Sequence, residues 1–391
     1  MIKREIEPYV LNFSKKYPVI SITGPRQSGK TTLAKMCFPK YKYVSLENPD
    51  LLELAVSDPK RFINNFNEFV IFDEVQKAPS LFSYIQTVVD EKNKMGQFIL
   101  TGSQNFLLNE KISQSLSGRV KIVKLLPFSF SEIKKNFNIK DIDTLLFRGC
   151  YPPIYDRNIE PDVWFDDYLA TYIERDVRNL KNISNLITFQ KFLKLLAARV
   201  GQLLNFNSLA NETGISHNTA RSWFSILEAG YIVYALTPYY ENFGKRIVKQ
   251  PKIYFYDTGL VCALLGLDSP SQLSFHYLRG NIFENFVVTE YLKSRYNICK
   301  RNNSFFWRDK NQNEIDLLIQ KGNKLIPVEI KSSETFNESL IKNLKKWDKI
   351  TGKKNQKFLI YCGEIDIDLE DIKVISWKNL DKFFNMINGE V

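Results

Sequence analysis

The feature that most restricts the fold is a phosphate-loop motif, GxxxxGK[ST], matched at every required position by Gly24-Pro25-Arg26-Gln27-Ser28-Gly29-Lys30-Thr31. The motif follows the apolar run PVISIT and precedes the helix-like run TTLAKMCF. In such a strand, loop and helix, backbone N–H groups surround phosphate oxygens, a lysine reaches the β- and γ-phosphates, and a hydroxyl binds Mg²⁺. We therefore predict that ATP binds through residues 24–32, ending at Thr32, with Lys30 assisting catalysis and Thr31 binding Mg²⁺.

Two later apolar runs carry polar residues at their carboxyl ends. FVIFDEV contains Asp73 and Glu74, and QFILTGS ends at Ser103, just before Gln104. Helical segments separate the runs, which predicts βαβ units and a parallel sheet whose strand ends meet at one edge. We predict that Asp73 binds the metal ion and Glu74 polarises the attacking water. Ser103 or Gln104 is predicted to sense the γ-phosphate. Solvated turn residues are the alternative for the carboxylates.

Arg119 follows a glycine in SQSLSGRV, just before another apolar run. An arginine at this position can reach a phosphate in its own subunit or in a neighbouring subunit of a homo-oligomer. An ordinary surface arginine is the alternative, and the sequence does not decide among the three.

The chain length of 391 residues predicts about two or three domains. We predict an α/β fold, and changes in the spacing of apolar residues along the chain divide it into four segments. The predicted segments are a P-loop domain at 1–152, a helical connector at 153–185, a winged helix-turn-helix at 186–258 and an α/β domain at 259–391.

Composition narrows the chemistry and the partners. The net charge of +11 favours a polyanionic partner such as DNA. The amino-terminal residues lack the apolar core of a signal peptide and no later run is long enough to span a bilayer, so we expect a cytoplasmic protein without a membrane partner. Five dispersed cysteines and two histidines argue against a zinc knuckle, a disulfide framework and a His-rich metal centre. Carboxylates, lysines, arginines and metal ions must carry the chemistry.

The middle of the chain has the pattern of a helix-turn-helix followed by two strands. In the second helix the apolar residues at i, i+3, i+4 and i+7 are predicted to pack inward, namely Ala220, Trp223, Phe224 and Leu227. The opposite face and the basic segment between the strands are predicted to bind DNA, through Asn218, Arg221, Lys245, Arg246 and Lys249, with Lys252 in the same basic segment. Winged helices also serve as protein-packing modules, and this alternative stays open.

A hairpin near the carboxyl end brings three polar groups together. In NEIDLLIQKGNKLIPVEIKSS the turn Gly322-Asn323 separates two strands, and Asp316, Glu329 and Lys331 oppose the apolar face. Two carboxylates on adjacent strands can hold a divalent metal ion, and a nearby lysine can orient or deprotonate a water that attacks a phosphodiester. A solvated sheet surface is the alternative.

The hairpin, together with Glu284 in the preceding helix GNIFENFVVTEYLKS, resembles the PD-(D/E)xK nuclease superfamily. This resemblance implies Glu284, Asp316 and Glu329 as ligands of Mg²⁺ or Mn²⁺ and Lys331 as a catalytic residue. Over nearly its whole length the chain also resembles a large group of bacterial and archaeal ATP-binding proteins of the AAA superfamily. That second resemblance depends on GPRQSGKTTLAK, FDEVQKAP, LTGSQNFLL, SLSGRV, PFSFSEI, YDTGL, GNIFENFV, FWRDKNQNEIDLLI and PVEIKSS.

The AAA resemblance implies ATP binding and hydrolysis by a P-loop domain joined to a domain of unknown function. Two hypotheses follow. Either the chain is an ATP-driven protein acting on DNA through a metal-dependent nuclease domain, or it is a nucleotide-dependent regulatory protein whose nuclease-like domain binds a partner without cleaving.

Overall fold

The computed structural model describes residues 2–103, 115–172, 185–239, 249–352 and 355–389. Gln104, Lys245 and Arg246 lie outside these ranges. The chain divides into two compact units. The first comprises Met1–Phe128, Ala229–Tyr231 and Arg295–Lys300, and the second comprises Ser129–Glu228, Ile232–Ser294 and Arg301–Val391.

The first unit is built on a parallel sheet, as predicted. Its strands are β1 (Val19–Thr23), β2 (Lys42–Ser45), β3 (Val70–Asp73), β4 (Phe98–Gly102) and β5 (Val120–Lys124). Within the described residues the strand order is β2-β3-β4-β1-β5, and every pair is parallel. The accompanying helices are Glu7–Ser14, Lys30–Cys37, Pro49–Ser57, Pro59–Asn65 and Leu81–Lys92. Since β4 lies between β1 and β3, the ends of these three strands meet at one edge of the sheet.

The second unit begins with helices and a small hairpin. The helices are Phe130–Asn136, Ile142–Arg148, Pro152–Asp156, Pro161–Tyr172, Leu186–Ala197, Phe206–Thr213 and His217–Ala229, whose last residue belongs to the first unit. Strands β6 (Val233–Leu236) and β7 (Lys252–Phe255) pair antiparallel. The four residues predicted to pack inward from His217–Ala229 are all buried, and the Ser216 hydroxyl accepts from the Thr219 backbone N–H at the start of this helix.

A mixed sheet forms the rest of the second unit. Its strands are β8 (Ser304–Arg308), β9 (Glu314–Lys321), β10 (Lys324–Lys331), β11 (Lys357–Tyr361), β12 (Ile367–Asp368) and β13 (Ile372–Ser376). The predicted hairpin is β9 and β10, and β10 also pairs in parallel with β11, so β10 lies inside the sheet. The helices are Thr258–Leu264, Pro270–Phe275, Arg279–Asn297, Lys342–Thr351 and Leu380–Asn388.

The boundary between the units differs from the predicted one at residue 152. The first unit's initial segment ends at Phe128, because the helices that follow it bind groups of the second unit. The Phe130 backbone N–H donates to Glu290 at 2.6 Å, and the Cys150 N–H donates to Asp257 at 2.7 Å. None of the helices in the described ranges combines the length and apolar character needed to cross a bilayer.

Candidate nucleotide site and carboxylate cluster

The phosphate loop joins β1 to the helix Lys30–Cys37 in a conformation that requires glycine. Gly24 has a φ of 154°, and a Cβ added there would lie 2.0 Å from the Leu125 carbonyl oxygen. Gly29, the residue before the helix, has a φ of 91°. Backbone of this shape leaves the helix N-terminus and its N–H groups facing the loop, as phosphate binding requires.

Lys30 folds back over this loop. Its Nζ donates to the Pro25 carbonyl at 2.6 Å, and the buried Ser28 hydroxyl donates to the same carbonyl at 3.0 Å. Of the other predicted loop contacts, Arg26 is half-buried while Gln27 and Thr32 are exposed. The lysine charge is therefore held against the loop that is predicted to surround the phosphates.

Asp73 meets the phosphate loop through Thr31. The Thr31 hydroxyl lies 3.0 and 3.1 Å from the two carboxylate oxygens of Asp73. Tyr43 donates to Asp73 at 2.7 Å, and Thr101 donates to it from β4. Burial, and then the hydrogen bond to Asp73, raises the pKa of Tyr43 to about 12, so the phenol stays a donor. A hydroxyl and a carboxylate in contact provide the oxygen ligands that Mg²⁺ prefers, so this pair fits the ion.

Glu74 and Ser103 also come together, as their positions at strand ends predict. Ser103 Oγ donates to Glu74 Oε2 at 3.2 Å, and the side-chain amide of Gln76 donates to the same oxygen. Glu74 has a φ of 54°, a left-handed backbone that is uncommon for a residue with a side chain and that often occurs at functional positions. The Glu74 carboxylate is therefore held by two hydrogen bonds at the residue that directly follows Asp73.

Arg4 was missed by the sequence analysis. Its guanidinium donates to the Ser28 carbonyl at 2.9 Å and to the Leu126 carbonyl at 2.8 Å, which ties the phosphate loop to the residues after β5. No local pattern marks Arg4, since its partners lie 24 and 122 positions away in the chain.

Arg119 is not near this site. It precedes β5, whose register places Val120 opposite Val19, at the amino end of β1. The phosphate loop follows the carboxyl end of β1, roughly 16 Å away at about 3.3 Å per residue. Arg119 instead binds Asp90 at 2.5 and 2.9 Å. The prediction that it acts on its own subunit's phosphate is therefore wrong, and an action on a neighbouring copy stays a prediction.

The second unit brings Asp316, Glu329 and Lys331 together. Lys331 Nζ lies 3.2 Å from Asp316 Oδ2 and 2.7 Å from Glu329 Oε1. The Ile330 backbone N–H also donates to Asp316, at 2.8 Å, and Asn343 donates to Glu329 at 3.1 Å. Both carboxylates thus lie on the same side of the hairpin as the lysine.

Glu329 is not part of a solvated surface, because it is only 1% exposed. Burial, and then the charge of Asp316, raises the pKa of Glu329 to about 8. Its Oε2 is buried and has no hydrogen-bond partner among the described residues. Lys331, by contrast, keeps 35% of its side chain exposed. The cluster is therefore a buried pair of acids with a lysine at its accessible side.

Glu284 has other partners. It accepts from Lys252 at 2.8 Å and from the Tyr254 hydroxyl at 2.5 Å. In the described ranges no three His, Cys, Asp or Glu side chains are grouped to hold a metal ion. The implied role of Glu284 as a ligand stays a prediction.

The residues of the predicted DNA-binding surface differ in their exposure to solvent. Asn218 and Arg221 are exposed on the helix His217–Ala229, and Lys249 is exposed before β7. Lys252, which the sequence analysis placed in the same basic segment, is buried and ion-paired. Its inclusion in an exposed basic surface is therefore wrong, because β7 packs inside the second unit.

Three known family models match successive parts of the chain. A model described as an AAA domain matches residues 16–134. Domains of unknown function, DUF8612 and DUF4143, match residues 139–271 and 279–380. The chain also resembles a solved structure, the Walker-type ATPase PABY2304 of Pyrococcus abyssi, with 16% identity, a TM-score of 0.47, and coverage of 68% of this chain and 96% of that one. At these values the likeness supports no inference.

Two mycobacterial relatives are more similar. Rv2008c of Mycobacterium tuberculosis and Mb2031c of Mycobacterium bovis, both described as uncharacterized, are each 32% identical over 324 residues, which cover 81% of this chain and 71% of each relative. An archaeal relative, MJ1637 of Methanocaldococcus jannaschii, is 24% identical over 97% of this chain and 87% of its own length. The chain therefore belongs to the same protein family as Rv2008c and Mb2031c, and its amino-terminal part is an AAA domain.

Proposed function

We propose that this chain binds ATP with Mg²⁺ at the carboxyl edge of β1, β3 and β4 and hydrolyses the γ-phosphate bond. The contact between Thr31 and Asp73 supports this most directly, because it joins the phosphate loop to the carboxylate of β3. The AAA match over residues 16–134 agrees with it.

The residues at this edge have separate roles in hydrolysis. Bound Mg²⁺ would neutralise charge on the phosphates, with Thr31 and Asp73 as its protein ligands. Lys30 exchanges the Pro25 carbonyl for a phosphate oxygen, which leaves the ammonium paired with an anion. Glu74, held by Ser103, orients the attacking water and accepts its proton.

Two substitutions test this proposal. Glu74→Gln should bind ATP with unchanged affinity but lose turnover by about 10²-fold or more, which is the usual contribution of a general base. Lys30→Ala should lose binding and turnover together, because the phosphates lose their counter-charge. Binding is measured with a fluorescent ATP analogue, and turnover by phosphate release at saturating ATP.

Glu53→Gln serves as a matched control, since Glu53 is exposed on the helix Pro49–Ser57. It should behave as the wild type in both assays. Equal turnover by the wild type and Glu74→Gln would show that Glu74 is not the water-activating residue.

We propose a second activity, metal-dependent cleavage of DNA by the second unit, because Lys331 Nζ lies within 3.2 Å of both the Asp316 and the Glu329 carboxylate. Asp316 and Glu329 would share a divalent metal ion, and Lys331 would orient or deprotonate the attacking water. The exposed residues Asn218 and Arg221 would bind the DNA backbone or base edges. A partner-binding domain without cleavage is the competing proposal.

Incubation of plasmid and single-stranded DNA with Mn²⁺, with and without ATP, separates these two. We expect cleavage in the presence of ATP that is lost in Asp316→Asn and in Lys331→Ala. Asp368→Asn, an exposed carboxylate on β12 of the same sheet, is the control and should cleave normally. Absence of cleavage by the wild type under every condition favours the partner-binding domain.

A further inference from the structure

Lys252, the first residue of β7, is a buried cation bound to two carboxylates of the second unit. It is only 3% exposed. Its Nζ lies 2.8 Å from Glu284 Oε1 and 2.5 Å from Glu314 Oε1. A buried ammonium is tolerated only where opposite charges compensate its lost hydration, and these two carboxylates do so.

The charge of Lys252 also acts on the predicted metal site. The two salt bridges, to Glu284 at 2.8 Å and to Glu314 at 2.5 Å, hold the ammonium in its charged form inside the unit. Glu314 and Asp316 lie two positions apart on β9, and side chains at this spacing share one face of a strand. Lys252 is thus bound to Glu284, the residue implied as a further metal ligand, and to Glu314, which lies two positions before Asp316 on the same strand.

One acid of the cluster is left unsatisfied. Glu329 Oε2 is buried without a hydrogen-bond partner among the described residues, although Glu329 Oε1 binds Lys331. An oxygen in that position can accept a ligand that carries positive charge. The second unit therefore contains both an unused buried acceptor, Glu329 Oε2, and a buried cation, Lys252.

We propose that Lys252 closes the Asp316–Glu329 site against divalent metal ions in the ligand-free chain. The ammonium neutralises Glu284 and repels a metal ion approaching Asp316, so β7 must shift before the ion binds. This proposal rests on the proposed metal site and adds its regulation: the small hairpin β6–β7, which follows the helix His217–Ala229, controls metal access to the cluster.

A purely structural lysine is the alternative reading of the same contacts. In that case Lys252 would only join β7 to β9, and its removal would lower stability without changing metal affinity. The two alternatives predict different Mn²⁺ affinities for a variant that lacks the ammonium group.

Binding of Mn²⁺ to the full chain, without ATP or DNA, distinguishes them. The loss of the free-ion electron paramagnetic resonance signal measures the binding. Lys252→Gln should bind one Mn²⁺ at least about 100-fold more tightly than the wild type, because a single and a double positive charge within ~6 Å repel strongly at an effective dielectric constant of ~20. Lys252→Arg keeps the charge and should bind as weakly as the wild type. Adding Asp316→Asn to Lys252→Gln should abolish the gain.

A second buried lysine provides a matched control. Lys357, at the start of β11, is 1% exposed and binds Asp348 and Asp371. Lys357→Gln also leaves two carboxylates without their cation, so it tests whether any such pair gains Mn²⁺. It should bind Mn²⁺ no better than the wild type.

Two results would overturn the proposal. One is a folded Lys252→Gln variant that gains no Mn²⁺ affinity. The other needs no Lys252 variant: tight Mn²⁺ binding by the ligand-free wild type that Asp316→Asn removes would mean the site is already open. Failure of the proposed cleavage gives a different result, namely a Lys252→Gln variant that gains Mn²⁺ but cleaves no DNA.

Discussion

The Asp257 side chain is almost fully buried and lies at the start of the helix Thr258–Leu264. It is 2% exposed and accepts from the backbone N–H groups of Cys150 at 2.7 Å and Leu260 at 3.2 Å. Burial raises the pKa of Asp257 from 3.8 to about 6, although the charge of Lys293 and these hydrogen bonds oppose the rise. Cys150, Tyr256, Glu290 and Lys293 are the other titratable groups that line this position.

This shift predicts the pH dependence of stability. The folded state holds the proton more tightly than the unfolded state, so the contribution of Asp257 is fully present below pH 3.8 and is lost as the pH rises through about 6. Its full size is about 3 kcal/mol, of which about 1 kcal/mol falls between pH 5 and 8. Asp257→Asn has no such proton, so the wild type should lose stability relative to this variant over that range.

Urea unfolding of both proteins at pH 5, 6, 7 and 8 measures the difference. Asp268→Asn is the control, because Asp268 is exposed in the following turn, and it should follow the wild type at every pH. If the stability difference between wild type and Asp257→Asn stays constant from pH 5 to 8, another group sets the pH dependence.

Only some of the site residues could be predicted from the sequence. The phosphate loop is a local motif, and the places of Asp73, Glu74 and Ser103 follow from the rule that parallel strands end at one edge. Arg4 and Lys252 could not be found in this way. Their partners are distant in the chain, and a lysine near a run of basic residues has the same local pattern whether it is exposed or buried.

Elements were predictable where periodicity decided them. The inward face of His217–Ala229 follows its apolar spacing, and the hairpin turn at Gly322-Asn323 separates β9 from β10. The surroundings of β10 were not predictable in the same way. Its alternation is equally typical of a strand with one wet face, but pairing with β11 and the amide of Asn343 cover Glu329. Tertiary packing, which local pattern does not report, distinguishes the two cases.

The two compact units of the molecule are not continuous stretches of the sequence. The AAA match covers residues 16–134, but the first compact unit also contains Ala229–Tyr231 and Arg295–Lys300. A chain that returns to a core after a hundred or more residues leaves no mark on composition or periodicity. For this reason the boundary predicted at residue 152 differs from the structure, where the initial segment of the first unit ends at Phe128.

The returning segments make specific contacts in the first unit. The Tyr231 hydroxyl lies 3.1 Å from Thr23 Oγ1, at the end of β1 directly before the phosphate loop. Asn297 donates to Glu5 at 3.1 Å, Lys124 lies over the Tyr296 ring, and Cys299 packs on the apolar core. A fragment of residues 1–134 lacks Tyr231, Tyr296, Asn297 and Cys299, although it contains the whole AAA match.

We therefore predict that the backbone amides of β1 exchange hydrogen faster in the 1–134 fragment than in the full chain. Tyr231→Phe in the full chain isolates the hydroxyl and should destabilise the first unit by about 1 kcal/mol, the usual net value of one hydrogen bond. Hydrogen exchange followed by mass spectrometry measures the protection of the β1 amides in the fragment and in Tyr231→Phe. This method reports the stability of each unit separately, because amides exchange through local opening.

Tyr277→Phe is the control for the loss of a tyrosine hydroxyl, because Tyr277 is 78% exposed in the second unit. It should leave exchange in β1 unchanged. Equal protection of β1 in the fragment and the full chain would mean that residues 1–134 form the nucleotide-binding core without the returning segments. Slower exchange in the full chain, with partial loss in Tyr231→Phe, would instead make Tyr231 a support for the strand that holds the phosphate loop. In that case ATP binding would depend on residues far outside the AAA match, because the strand before the loop would be held by a side chain located 208 positions further along the chain.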